Sequence, residues 1–165
     1  MLRKESEAHV RQRNDATQNE EKMKEQLYIN NILASSYGIR MGDGFLDKLL
    51  SPCELKEFVT NESRLENGTR YITSPAKIKA RSLSLSFNIH GDSEAEYKNN
   101  KAWLFNIFYS GRLELSVRNE SNDIFRLVYT GKSVTYGEDM THLNGKVTAG
   151  FDEPDPTDRS QTSIH

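Results

Sequence analysis

Cysteine is almost missing from this sequence: Cys53 is the only one among 165 residues. That excludes an internal disulfide framework and any multi-cysteine metal site, and it fits a reducing site of synthesis. Long hydrophobic runs are missing too. Nothing approaches the roughly 20 apolar residues that cross a bilayer as a helix, and the first residues lack the apolar centre of a signal peptide. The reading is a soluble intracellular product with no membrane partner, so the Asn-x-Ser/Thr triplets at Asn61, Asn67 and Asn119 are chance matches. Charge of one sign is also not in excess: 22 Lys and Arg stand against 24 Asp and Glu. Bulk electrostatic binding to nucleic acid or to an anionic membrane is thereby excluded. Length sets the remaining bound, being enough for one core-forming domain plus appendages without disulfides or metals.

What is present is a strand, helix, strand unit from Arg81 to Val117. Leu83, Leu85, Phe87 and Ile89 alternate with Ser84, Ser86 and Asn88, the period of a half-buried strand. Gly91 breaks it, and Ser93 with Glu96 three residues on has the spacing of a capping box. The helix this predicts, about Ser93–Ser110, puts Tyr97, Leu104, Ile107 and Phe108 on one face with Trp103 beside them. Lys98, Asn99 and Asn106 point away, and Gly111 ends it. Leu113, Leu115 and Val117 then alternate with Arg112, Glu114 and Ser116 in a second strand.

Elsewhere the pattern is of short strands and turns. Residues 1–26 are charged and poor in apolar side chains, a helical or disordered arm, or one docked on a neighbouring subunit. The composition shift at Met23 also fits a native start there, which the intact mass of protein isolated from its source tests. Asn30-Asn31 between two apolar clusters predicts a tight hairpin over Leu27 to Ala34. Gly42-Asp43-Gly44 predicts a turn. It lacks the GxxxxGK[ST] order of a phosphate-binding loop. Phe45 to Leu50 reads as a short apolar turn or helix, and Pro52 is expected to start another through Leu55, Phe58 and Val59. Asn67-Gly68 is a turn and Tyr71-Ile72 a short strand. Strands are expected over Ile124 to Thr130, with both faces partly apolar and hence central, over Ser133 to Tyr136, and over Lys146 to Asp152 with Val147, Ala149 and Phe151 inward. The prolines of Glu153-Pro154-Asp155-Pro156 end the ladder, and 160–165 is a mobile tail.

No catalytic constellation emerges, and the reading assigns no catalytic, cofactor-binding or metal-ligating residue. His9, His90, His142 and His165 are far apart and match no paired ligand spacing. Cys53 has no His placed beside it and reads as a small buried hydrophobe. Asp152, Glu153, Asp155 and Asp158 lack the spacing of a calcium loop and read as solvating the exit from the last strand. Tyr97, Trp103, Phe105, Phe108 and Tyr109 can form either a stacking platform for bases or sugars or part of the core. Helical spacing with Leu104 and Ile107 favours the core.

The order of these elements resembles a known family. The strand opened by Arg81-Ser82, the helix closed by Gly111, Arg112-Leu113-Glu114-Leu115-Ser116-Val117, Phe125-Arg126-Leu127-Val128-Tyr129 and the closing Phe151-Asp152-Glu153-Pro154-Asp155-Pro156 are similar to tail proteins of long-tailed bacteriophages. The resemblance is to phage and prophage proteins of the distal-tail type, particularly those of gut Bacteroidales elements, and covers roughly Leu27 to Arg159. It implies an α+β, mainly β fold, a β-sandwich or rolled antiparallel sheet with one packed helix, as a single domain over 27–159. It further implies a non-enzymatic virion component without cofactors, made in the bacterial host cytoplasm. Such a protein assembles as a homo-oligomeric ring, commonly of six, at the end of the tail tube and joins it to baseplate or fibre proteins. No large C-terminal receptor-binding extension is seen, so a direct part in recognising the host is not expected. On this reading the loops from Gly42 to Tyr71 and Gly137 to Asn144 make contacts between subunits or with the tube. Either Ser84, Ser86 and Asn88 or Arg112, Glu114 and Ser116 then line a channel that passes DNA without binding it. A tail-tube or tail-terminator protein, or a monomeric carbohydrate- or peptide-binding β module, are the alternatives.

Overall fold

The computed structural model describes residues 26–161. The charged arm before Gln26, with His9 and Met23, and residues 162–165, with His165, lie outside the described residues.

Strands β1 (Leu27–Ile29) and β2 (Ile32–Leu33) make the predicted hairpin. Asn30 and Asn31 both take left-handed backbone, φ 50° and 64°, the conformation a two-residue turn needs to match strand twist. A single turn of 3-10 helix, Ala34–Tyr37, leads through Gly38 into β3 (Ile39–Met41). Gly44 then opens α1 (Phe45–Leu49), which buries Phe45 and Leu49. After a long excursion containing β4 (Val59–Asn61) and β5 (Arg70–Ile72), the chain enters β6 (Arg81–His90), α2 (Glu94–Tyr109) and β7 (Arg112–Val117). The last elements are β8 (Phe125–Tyr129), β9 (Thr135–Glu138) and β10 (Asn144–Glu153).

All pairings are antiparallel, in the order β2-β1-β7-β8-β10-β6-β3. The backbone of the sheet is the ladder between β6 and β10, in register from Arg81 opposite Glu153 to His90 opposite Asn144. The other edge of β10 is shared. Its first half pairs with β9 at Gly145 to Thr148 and its end with β8 at Phe151 and Asp152. With the ordinary right-handed twist between neighbouring strands, the sheet curls into a half-barrel. The rolled-sheet form of the expected α+β, mainly β class is therefore the one adopted.

The concave face holds the core. Leu85, Phe87 and Ile89 of β6, Leu113, Leu115 and Val117 of β7, and Val147, Ala149 and Phe151 of β10 point into it. Helix α2 closes it with Tyr97, Leu104 and Phe108. The Phe87 ring lies at the centre, 5.1 Å from Phe45, 5.6 Å from Phe108 and 6.2 Å from Phe151 between centroids. Ser93 caps α2 by accepting from the Glu96 amide at 3.1 Å, and the Glu96 carboxylate reaches back to the Asp92 amide at 3.0 Å. Gly111, at φ 89°, ends it. Asn100 is also buried on the inner helix face, where its amide donates to the His90 carbonyl at 2.8 Å. The apolar pattern of the helix alone does not reveal that tie to the end of β6.

Two expected elements differ. Pro52 starts no helix: residues 52–58 form none, and Leu55 is bridged to Ile78. A short helix there would have no core to bury a face against, and isolated helices of that length are marginal in water. The strand expected at Ser133 to Tyr136 lies at Thr135–Glu138, because Ser133 takes left-handed backbone at φ 52° and belongs to the preceding turn.

Candidate interaction surface

Residues 51–80 leave the half-barrel as an arm. Every residue in it is exposed except Cys53 and Phe58, which are half-buried. The arm is a ribbon held by backbone pairing: the Lys56 amide donates to the Lys77 carbonyl and the Lys79 amide to the Glu54 carbonyl, each at 2.8 Å. Farther out, β4 pairs with β5, with Val59 opposite Ile72 and Thr60 opposite Tyr71. Apolar side chains sit along it unburied, Val59 at 66%, Tyr71 at 62%, Ile72 at 55% and Leu65 at 95% exposure. A two-stranded ribbon of this kind gains little from its own packing, so what it has to offer is a surface for something else.

Both roots of the arm meet one buried carboxylate. Glu153 is fully buried on the inner face of β10, where its Oε1 accepts from Arg81 Nε at 3.3 Å and from Arg159 Nε and Nη2 at 3.2 and 2.5 Å. Arg81, which begins β6 where the arm returns, also donates to the carbonyls of Lys48, Leu49 and Ser51 at 3.3, 2.8 and 3.2 Å. It thereby satisfies the open C-terminal carbonyls of α1 where the arm departs. Arg159 donates from Nη2 to Cys53 Sγ at 3.3 Å. Burial opposes the charge on Arg159, but Glu153 beside it more than offsets this and raises its pKa above the ordinary value. The Phe125 ring lies under both guanidinium groups, 5.8 Å from Arg81 and 4.7 Å from Arg159.

At the far end of the sheet the turn between β9 and β10 presents Met140, 96% exposed. It is tightly held. Asp139 accepts from Thr141 Oγ1 at 2.7 Å and Asn144 Nδ2 at 2.9 Å, and these bonds lower its pKa to about 2. Tyr97, buried in α2, shares a 2.6 Å hydrogen bond with Tyr136, whose hydroxyl donates to Glu138 Oε2 at 2.5 Å. The bonds from Tyr136 and from His142, 2.6 Å away, depress the pKa of Glu138. Burial, and then the bond to Glu138, push Tyr136 up.

The residues singled out in the sequence fall as follows. His90 and His142, distant in the chain, both reach this turn, His90 through a 2.7 Å bond to Asn144 and His142 through Glu138. Cys53 is not a plain hydrophobe, since its sulfur accepts from Arg159. The four carboxylates Asp152, Glu153, Asp155 and Asp158 do not converge: Asp152 accepts from Ser82 at 2.6 Å, Asp155 from Thr157, and Asp158 pairs with Arg126 at 3.2 Å. Glu153 faces inward instead of solvating the exit. The signal for this was present, because the period of two through Val147, Ala149 and Phe151 continues to 153. Among the described residues no group of three His, Cys, Asp or Glu is placed to hold a metal ion, and no helix is long and apolar enough to cross a membrane.

The aromatic residues of α2 pack inward in part. Tyr97 and Phe108 are in the core, Trp103 is half-buried and stacked on Tyr37 at 4.1 Å, and only Tyr109 is exposed. Of the polar outer face, Ser86 is buried and bonded to Thr148 at 2.7 Å, while Asn88 is exposed. Arg112 and Glu114 are exposed and, with Asn30, Asn31, Arg126 and Asp158, line a groove of about 540 Å³.

A curled, mainly β half-barrel closed by one helix and carrying a projecting ribbon is the class of protein these features define. Among solved structures the chain is similar to Dit (gp 19.1) of SPP1, described as a paradigm of the hub adsorption apparatus in Gram-positive-infecting phages, with a TM-score of 0.49 and 17% identity. The match covers 79% of this chain and 50% of that one, so the chain spans about half the length of that structure. No family model and no curated protein matches the sequence.

Proposed function

We propose that this protein is a non-enzymatic structural component of a phage tail. In this reading it forms a ring at the distal end of the tail tube and joins the tube to baseplate or fibre proteins. The resemblance in element order from Arg81 to Pro156 supports the family, and with it a place in the virion and a homo-oligomeric ring, commonly of six subunits. The observation that carries assembly is the arm at 51–80, whose Val59, Tyr71 and Ile72 are exposed on a ribbon with no core beneath them. A ring closes when each subunit offers two different surfaces to its neighbours. The arm is one such surface, and the turn bearing Met140 is a second candidate for contact with a neighbour or the tube. The groove beside Arg112 and Glu114 is the better candidate for a channel lining, because Ser86 on the other strand is buried. DNA would pass there without specific binding.

Light scattering coupled to size exclusion, with negative-stain images of the same peak, tests this directly. A uniform closed ring near six times 18.9 kDa is the expected result. Long tubes would move the assignment to the tail tube, and a strict monomer at high concentration would count against the ring.

A further inference from the structure

The carboxylate that gathers both roots of the arm is also where the C-terminal segment docks. Past β10 the chain turns at Pro154 and runs back along β8. The Ile124 amide donates to the Arg159 carbonyl at 2.8 Å, and Arg126 donates to the carbonyls of Asp158 and Ser160, each at 3.1 Å. That path delivers Arg159 to Glu153 and Cys53. Without Arg159, the buried Glu153 would keep only the 3.3 Å bond from Arg81, and Cys53 would lose the hydrogen bond it accepts from Arg159. A buried carboxylate left with so little compensation is costly. The arrangement is thus cooperative, in that seating the segment completes the charge pairing under the arm.

We propose that residues 154–161 act as a latch on the arm. With Arg159 seated, both roots are fixed and the ribbon leaves the half-barrel in one direction. With the segment drawn away, Arg81 still holds the Ser51 carbonyl, but residue 53 loses its bond from Arg159 and the ribbon beyond it is free to change direction. A partner that grips the segment thereby changes the direction in which the arm is offered. The use of this latch in assembly rests on the ring reading above. The coupling between segment and arm does not.

Hydrogen exchange on the full chain, at a dilution where light scattering gives the monomer mass, separates the two. The reporters are the Lys56 and Lys79 amides, whose bonds to Lys77 and Glu54 close the base of the ribbon. Two variants are compared. Arg159→Ala removes the seated charge, and Arg126→Ala loosens the segment from β8 without touching Glu153 or Cys53. Exchange at both amides faster by about tenfold in both variants, with α2 amides unchanged, is the expected result. Unchanged exchange in Arg126→Ala overturns the latch, since it would mean that Arg159 only packs locally. If Arg159→Ala loosens the whole domain, Arg126→Ala alone decides the question. Failure to form rings would refute the proposed function and leave this result standing.

Discussion

Gly145 lies directly beneath the hydroxyl of Tyr97: a Cβ at position 145 would stand 1.9 Å from that oxygen and 3.0 Å from the ring carbon bearing it. Position 145 is where β10 meets β9, opposite Glu138, and Tyr97 is the buried residue at the start of α2. The contact therefore sets how closely the helix approaches the sheet. Gly145→Ala should lower stability by about 1–3 kcal/mol, the usual cost of overpacking a core. Combining it with Tyr97→Phe should cost less than the sum of the two changes, because the clashing oxygen is gone. Urea denaturation of the four proteins measures both terms.

The two asparagines of the first turn are not equivalent. Both have positive φ, but only Asn30 also accepts a hydrogen bond, from the Glu114 amide at 2.9 Å, joining the hairpin to β7. Asn30→Ala should cost about 1–2 kcal/mol from the lost bond and the left-handed backbone. Asn31→Gly should be neutral or slightly stabilising, since glycine adopts that backbone freely. Thermal melts of the two variants are expected to separate in this order.

Strong acid should weaken the turn between β9 and β10. Asp139 has a folded pKa of about 2 against an ordinary value of 3.8, held there by Thr141 and Asn144. A depressed carboxylate contributes stability above its unfolded pKa and loses it as pH falls through the folded one. The melting temperatures of wild type and Asp139→Asn should therefore differ at neutral pH. They should converge between roughly pH 4 and pH 2. A gap that stayed constant across that range would contradict the role assigned to the charge.

Excising the arm should separate folding from assembly. The Glu54 carbonyl and Lys79 amide are 2.8 Å apart, so a short Gly/Ser linker can replace 55–78 without moving either root. Because the removed residues are nearly all exposed, the melting temperature should change by no more than a few degrees. The ring, in contrast, should be lost. Persistence of the full assembly mass in light scattering would remove the arm from the proposed interface, and Met140→Glu in the intact chain would then test the turn at the far end of the sheet.

Much of this was legible in the chain. Alternation over Leu83 to Ile89 and Leu113 to Val117, the Ser93 and Glu96 cap, Gly111 as a stop, and Asn30-Asn31 as a turn are short-range signals, and each stands where it was expected. The errors lay where neighbours in space decide. Pro52 has the look of a helix start, but that stretch has no core to bury a helix face against and pairs instead with the returning chain at Ile78. Glu153 looks like one acid among four, yet it lies under two arginines that come from positions 81 and 159.

The sequence by itself determined the first hairpin, β6, α2 and β7, because side-chain period, capping and turn residues act over a few positions. It also determined that no disulfide scaffold and no strong field of either sign are available. Only the tertiary structure decided that the sheet rolls, since the strand order and the sharing of one edge of β10 between β8 and β9 are matters of long-range register. The same holds for the arm. Its exposure, its anchoring on Glu153 and the docking of Arg159 depend on charges and backbone brought together across more than a hundred positions, from Cys53 to Arg159, a separation at which no local pattern operates.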